Sequence, residues 1–138
     1  MRILVPLDDS DPARRAVEHA TTHYPDAETT LLHVIDPAAS VVGGEVTDDF
    51  DPVVRSGREE ATRLFDAITT AEEFDGRALA TETVVGSPAR EILAYAEESE
   101  MDQIVIGSHG RSGVSRALLG SVAETVVRRA PVPVTVVR

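Results

Sequence analysis

The segment Ile106-Gly107-Ser108-His109-Gly110, followed after nine residues by Gly120-Ser121, concentrates the chemistry of this chain. Glycines at these spacings remove Cβ atoms where a backbone must come close to a ligand. Ser121 and Glu124 match the capping-box pattern S-x-x-E, which predicts a helix beginning at Ser121. The unpaired N–H groups and positive dipole end of such a helix form an anion site. Arg111 and Arg116 lie in the same loop and carry the charge that a phosphate chain needs. The competing reading is a glycine-rich connection closed by an ordinary cap. A P-loop is excluded because the chain has no Lys, and the dinucleotide pattern G-x-G-x-x-G is absent.

A second cluster, Pro6-Leu7-Asp8-Asp9-Ser10, leaves the first apolar run. A carboxylate such as Asp8 there could accept hydrogen bonds from ribose hydroxyls. The alternative is that Asp8, Asp9, Ser10 and Asp11 are turn formers and a helix cap. Val34 could pack on a purine or simply fill the core.

None of these residues forms a catalytic set. His19 and His23 stand four apart on one predicted helix, a spacing that suits either a metal or a solvated face. His33 is expected to pack against a helix from within a strand. His109 either touches a phosphate or a metal, or is a loop residue tolerant of unusual dihedrals. Ser108 and Ser112 have no evident base, and G-S-H-G-R is not the nucleophile elbow G-x-S-x-G. No protein-held metal site and no general base for hydrolysis are nominated.

Short β-branched runs alternating with helical patterns must position these residues. Strands are predicted over residues 2–7, 29–35, 77–85, 103–106 and 132–137. The first helix opens with Asp11 as N-cap and Pro12 in the first turn, and buries Ala13, Ala16, Val17 and Ala20. A second begins near Pro52 and buries Ala61, Leu64, Phe65 and Ile68; a third starts at Ser87-Pro88; a fourth covers residues 121–130. Residues 36–51, with Pro37, Gly43, Gly44 and four aspartates, read as a long mobile loop. The partial alternation of residues 77–85 suits an edge strand. Strand alternating with helix predicts parallel strands joined by right-handed crossovers, a three-layer α/β sandwich with ligands at the strands' carboxyl ends. Strand order is not readable from the pattern alone.

Composition narrows the classes. The chain has 138 residues, 42% apolar and 27% charged, which suits a single folded domain over 1–138. No run approaches a transmembrane span, and the start lacks a signal peptide's layout, so a cytoplasmic location is expected. Zero Cys excludes disulfides, thiolate catalysis and Cys-ligated metals. All 13 basic residues are Arg, against 24 acidic ones, a net charge of −11. That balance disfavours nucleic acid and anionic membranes as partners. It suits a salt-rich, halophilic cytoplasm, although a coding bias would also deplete Lys.

Together these residues resemble the universal stress protein family, in its ATP-binding branch. The resemblance spans the whole chain: I-L-V-P-L-D-D-S at the start, then H-V-I-D, G-S-P-A-R-E-I-L and the closing P-V-P-V-T-V-V. The family motif G-x2-G-x9-G-(S/T) falls on Gly107, Gly110, Gly120 and Ser121. The resemblance implies a Rossmann-like sheet of the adenine nucleotide alpha hydrolase type, in order 3-2-1-4-5. It implies that Asp8 holds the ribose and that Pro6, Leu7, Val34 and Ile106 line the adenine pocket. Gly107, Gly110, Gly120, Ser121 and Val122 would then contact the phosphates. Arg111 stands where some relatives have Lys, which keeps the charge but changes the donor geometry. The ligand implied is ATP, with AMP and ADP as the other candidates, accompanied by Mg2+ or Mn2+ held through the phosphates. A homodimer through the C-terminal strand is also implied, with Val132, Val134, Val136 and Val137 as an otherwise exposed apolar edge.

The expected role is therefore a nucleotide-dependent sensor or regulatory module with little or no turnover, acting on a protein partner that the sequence does not name. Two alternatives stand beside it: a nucleotide-free interaction module of the same family, and a slow ATP-hydrolysing or adenylyl-transfer enzyme. The latter would want a glycine-rich S-G-G-x-D-S loop where this chain has Asp8-Asp9-Ser10-Asp11.

Overall fold

The computed structural model describes residues 1–37, 52–110 and 118–138. The predicted loop tract beyond Pro37, with Gly43 and Gly44, lies outside the described residues, as do Arg111, Ser112 and Arg116. Strand β1 (Arg2–Pro6) is an unbroken aliphatic run, and Ile3, Leu4 and Val5 are fully buried, as a strand covered on both faces requires. Helix α1 (Asp11–His23), β2 (Glu28–Ile35), α2 (Pro52–Thr69), β3 (Leu79–Val85), α3 (Pro88–Glu98), β4 (Gln103–Gly107), α4 (Ser121–Arg129) and β5 (Val134–Val137) follow in strict alternation. The strands form one sheet in the order β3-β2-β1-β4-β5, every neighbouring pair parallel. This is the three-layer α/β sandwich that the alternation predicts and the strand order that the resemblance implies.

Side chains alternate between two cores. Ile3, Val5, Leu31 and Val105 point to one face, where α1 adds Ala13, Ala16, Val17 and Ala20 and α2 adds Ala61, Phe65 and Ile68. Leu4, Leu32, Ile104 and Ile106 point to the other, against Ile92 and Ala96 of α3 and Ala123 and Val126 of α4. The helix after β1 and the helix after β4 therefore cover opposite faces, although the two strands are neighbours. That reversal opens a crevice at their carboxyl ends.

Local details correct two expectations and qualify a third. The N-cap of α1 is Ser10, not Asp11: Ser10 is extended and its Oγ accepts the Ala13 N–H at 3.2 Å. The cause lies upstream, because Asp8 Oδ1 accepts the Ser10 N–H at 2.9 Å and holds that residue outside the helix. Helix α4 does begin at Ser121, but the capping box is not formed. Gly120 occupies the cap position, Ser121 is the first helical residue, and the Glu124 carboxylate pairs with Arg128 on the next turn. The valines near the C-terminus lie, as expected, on an edge strand. Val132, Val134 and Val136 pack against the α3/α4 core and Val137 against the α1/α2 core, each staying partly exposed, and among the described residues no strand pairs with the outer backbone edge of β5. Among the described residues, no helix is long and apolar enough to cross a membrane.

Candidate functional site

A cavity of about 1100 Å³ lies at the carboxyl ends of β1, β2 and β4. Every described candidate from the sequence lines it: Pro6, Leu7 and Asp8 at the exit of β1, Val34 near the end of β2, Ile106, Gly107 and Gly110 at and after β4, and Gly120, Ser121 and Val122 at the start of α4. Arg111 and Arg116 lie outside the described residues.

The first three residues reach the cavity because β2 outruns β1. The last paired residues are Pro6 and Leu32, yet β2 continues to Ile35. Leu7 still donates its N–H to the Leu32 carbonyl at 2.8 Å, and the chain then turns. Asp8 makes that turn with Oδ1, which accepts the Ser10 N–H, so the turn-former reading holds for one of its oxygens. Its Oδ2 lies against Gly110 from the opposite loop. The sugar-clamp candidate and the glycine loop are thus in contact.

The three glycines line the cavity and also admit parts of the protein itself. A Cβ on Gly107 would lie 2.8 Å from the Pro12 carbonyl carbon and 2.9 Å from the Ala13 nitrogen, so this glycine admits the first turn of α1. A Cβ on Gly110 would lie 2.8 Å from Asp8 Oδ2, and one on Gly120 would lie 3.1 Å from His109 Cα. Each absent side chain thus makes room for the protein itself at the cavity wall. The Gly120 N–H is also occupied, donating to the Ser108 carbonyl at 2.8 Å. The first bond of α4 runs from the Glu124 N–H to the Gly120 carbonyl at 2.9 Å, which leaves the N–H groups of Ser121, Val122 and Ala123 ahead of it without helical partners. All three residues line the cavity, at the positive end of the helix dipole.

A family model for the universal stress proteins matches residues 1–138. Universal stress protein MJ0531 of Methanocaldococcus jannaschii is 34% identical over 139 residues, covering 99% of this chain and 81% of that one. The chain belongs to the universal stress protein family. Among solved structures, universal stress protein UspA from Lactobacillus plantarum has a TM-score of 0.79 at 33% identity, over 100% of this chain and 97% of that one. A universal stress protein family member from Arabidopsis thaliana, solved with AMP bound, shares the fold at a TM-score of 0.68 and 20% identity, over 99% of this chain and 90% of its own.

In this universal stress protein the cavity wall also holds residues that the sequence did not single out as site candidates. Val53, Ser56, Gly57 and Glu60 come from α2, and Pro88 and Ile92 from α3. Helix α2 comes this close because Gly57 has no side chain: a Cβ there would lie 2.6 Å from Ile35 Cγ2. A glycine inside an otherwise apolar-periodic helix was the available signal. His33 has a role beyond the helix packing expected of it. It borders the cavity, half-buried, with Nδ1 2.8 Å from the Leu7 carbonyl oxygen. His109 also borders the cavity, its Nδ1 3.1 Å from Ser108 Oγ, and its φ is not positive. His19 and His23 stack on α1 with ring centroids 4.4 Å apart. Partial burial and then the neighbouring His23 charge both lower the pKa of His19.

The described wall carries five carboxylates, Asp8, Asp9, Asp36, Glu60 and Glu124, and no Arg. A polyanion entering it meets the α4 amides on one side and a field of its own sign on the other.

Proposed function

We propose that this universal stress protein binds ATP in the cavity at the β1/β4 reversal and acts as a nucleotide-dependent sensor or regulatory module with little or no turnover. The observation that carries this reading is the apposition of the two halves of the cavity: Asp8 on one wall and the N–H groups of Ser121, Val122 and Ala123 on the other. In this arrangement Asp8 accepts the ribose hydroxyls, Pro6, Leu7, Val34 and Ile106 flank the base, and the α4 amides with the Ser121 hydroxyl receive phosphate oxygens. Gly107, Gly110 and Gly120 shape the walls, and Arg111 adds charge from the loop. The AMP found in the Arabidopsis relative agrees with an adenine nucleotide, so AMP and ADP are the competing occupants.

The acidic wall fits a divalent cation that arrives on the phosphates, Mg2+ or Mn2+, and offsets their charge. Little or no turnover rests on the sequence, which nominates no general base and no positioned water for hydrolysis. A homodimer through the open backbone edge of β5 completes the proposal, in a cytoplasmic protein without nucleic-acid or membrane partners.

Mass spectrometry of nucleotide released from the purified protein, with calorimetric titration of Mg–ATP, tests the reading. One adenine nucleotide per chain is expected. A protein that purifies empty and gives no heat with Mg–ATP is the nucleotide-free module instead. Stoichiometric phosphate release from labelled ATP within one binding event would make it an enzyme.

A further inference from the structure

We propose that His33 is the positioning residue for Asp8: its imidazole pins the Leu7 carbonyl and so sets the path on which the chain leaves β1 and brings the Asp8 carboxylate to the cavity. This deepens the nucleotide reading and rests on it.

Past the Pro6–Leu32 pair, β1 has no ladder of its own, but β2 holds Leu7 twice. The Leu32 carbonyl accepts the Leu7 N–H at 2.8 Å, and His33 Nδ1 lies 2.8 Å from the Leu7 carbonyl oxygen. Both polar groups of one residue are thus tied to consecutive residues of the neighbouring strand. The Leu7 carbonyl belongs to the planar peptide that carries the Asp8 N and Cα, so fixing that oxygen fixes the direction in which Asp8 departs. From there Asp8 is held by the Ser10 N–H at Oδ1, and Oδ2 lies against Gly110. Leu7 itself is 4% exposed and belongs to the α1/α2 core, which anchors it further.

A carbonyl oxygen only accepts, so Nδ1 carries the hydrogen. The bond therefore survives whether the ring is neutral or charged, and the requirement at position 33 is a donor two bonds beyond Cβ. Asparagine supplies one at Nδ2. Phenylalanine keeps a ring and offers none.

The test compares His33→Phe and His33→Asn with the parent chain, titrating Mg–ATP and inorganic Mg–triphosphate. His33→Phe is expected to weaken Mg–ATP about tenfold, as loss of one partly buried hydrogen bond implies, with Mg–triphosphate unchanged. His33→Asn is expected to recover most of that loss. The double variant His33→Phe with Asp8→Ala is expected to bind no more weakly than Asp8→Ala alone. Parent-like Mg–ATP binding by His33→Phe, an equal loss for triphosphate, or additive losses in the double variant would each overturn the role. A parent chain that binds no nucleotide refutes the nucleotide reading instead. Positioning is then decided in the ligand-free protein by hydrogen exchange of the Ser10 amide, faster in His33→Phe and restored in His33→Asn if His33 orders Asp8, and equal in all three if it does not.

Discussion

Asp8 and Gly110, from loops that leave neighbouring strands, meet so closely that a Cβ on Gly110 would stand 2.8 Å from Asp8 Oδ2. The contact joins the acidic half of the cavity to its glycine half. The obstructed atom is the end of a rotatable side chain, so Gly110→Ala is absorbed by moving the carboxylate and not the backbone. The variant should melt within a few degrees of the parent yet lose roughly tenfold or more in affinity for Mg–ATP, matching Asp8→Ala. Both should keep parent affinity for inorganic triphosphate. Calorimetry on the two variants checks this, and parent-like ATP binding by either removes Asp8 from the ribose.

Gly107 predicts the opposite balance. Its missing Cβ faces the backbone of Pro12 and Ala13, which cannot swing away. Gly107→Ala should cost about 1–3 kcal/mol of stability through forced separation of β4 from α1. Urea denaturation measures it; an unchanged midpoint would mean that α1 retreats freely.

The interlocking of these loops was only partly legible in the chain. Aliphatic runs such as Ile3-Leu4-Val5 and the helical spacing of Ala13, Ala16 and Val17 are local patterns, and they read directly into strand, helix and core. Glycine spacing and the acidic turn after β1 likewise marked the cavity. What escaped reading depends on partners distant in sequence. That Gly107 also admits the first turn of α1 could not be read, because nothing nearby in sequence reveals that this turn lies against it. That His33 reaches the Leu7 carbonyl could not be read either, because Leu7 belongs to another strand. Ser121 and Glu124 matched a cap, but Arg128 claims the glutamate and Gly120 takes the cap position.

Net charge of −11 on 138 residues should make stability depend on screening. Raising KCl from ~0.1 to ~2 M shortens the Debye length from about 10 Å to below 3 Å and should raise the melting temperature by several degrees. Calorimetric scans at fixed pH check it. A salt-independent melting temperature would argue that the acidic surface is a coding bias and not a habitat.

Acidification should destabilise through His19. Burial, then His23, lowers its pKa from the ordinary 6.5, so the unfolded chain binds a proton first as pH falls. Stability is therefore complete above that ordinary value and declines as pH drops through it, until the folded form protonates too. His19→Gln should show a smaller fall in melting temperature between pH 7 and 5 than the parent, at constant ionic strength. Equal falls would show that His19 titrates alike in both states.

The most direct trial of the nucleotide account is a crystal structure grown in saturating Mg–ATP. The account predicts phosphate oxygens on the Ser121 and Val122 amides and a ribose hydroxyl on Asp8. Density for ATP elsewhere, or a cavity filled only by water and side chains, would contradict it.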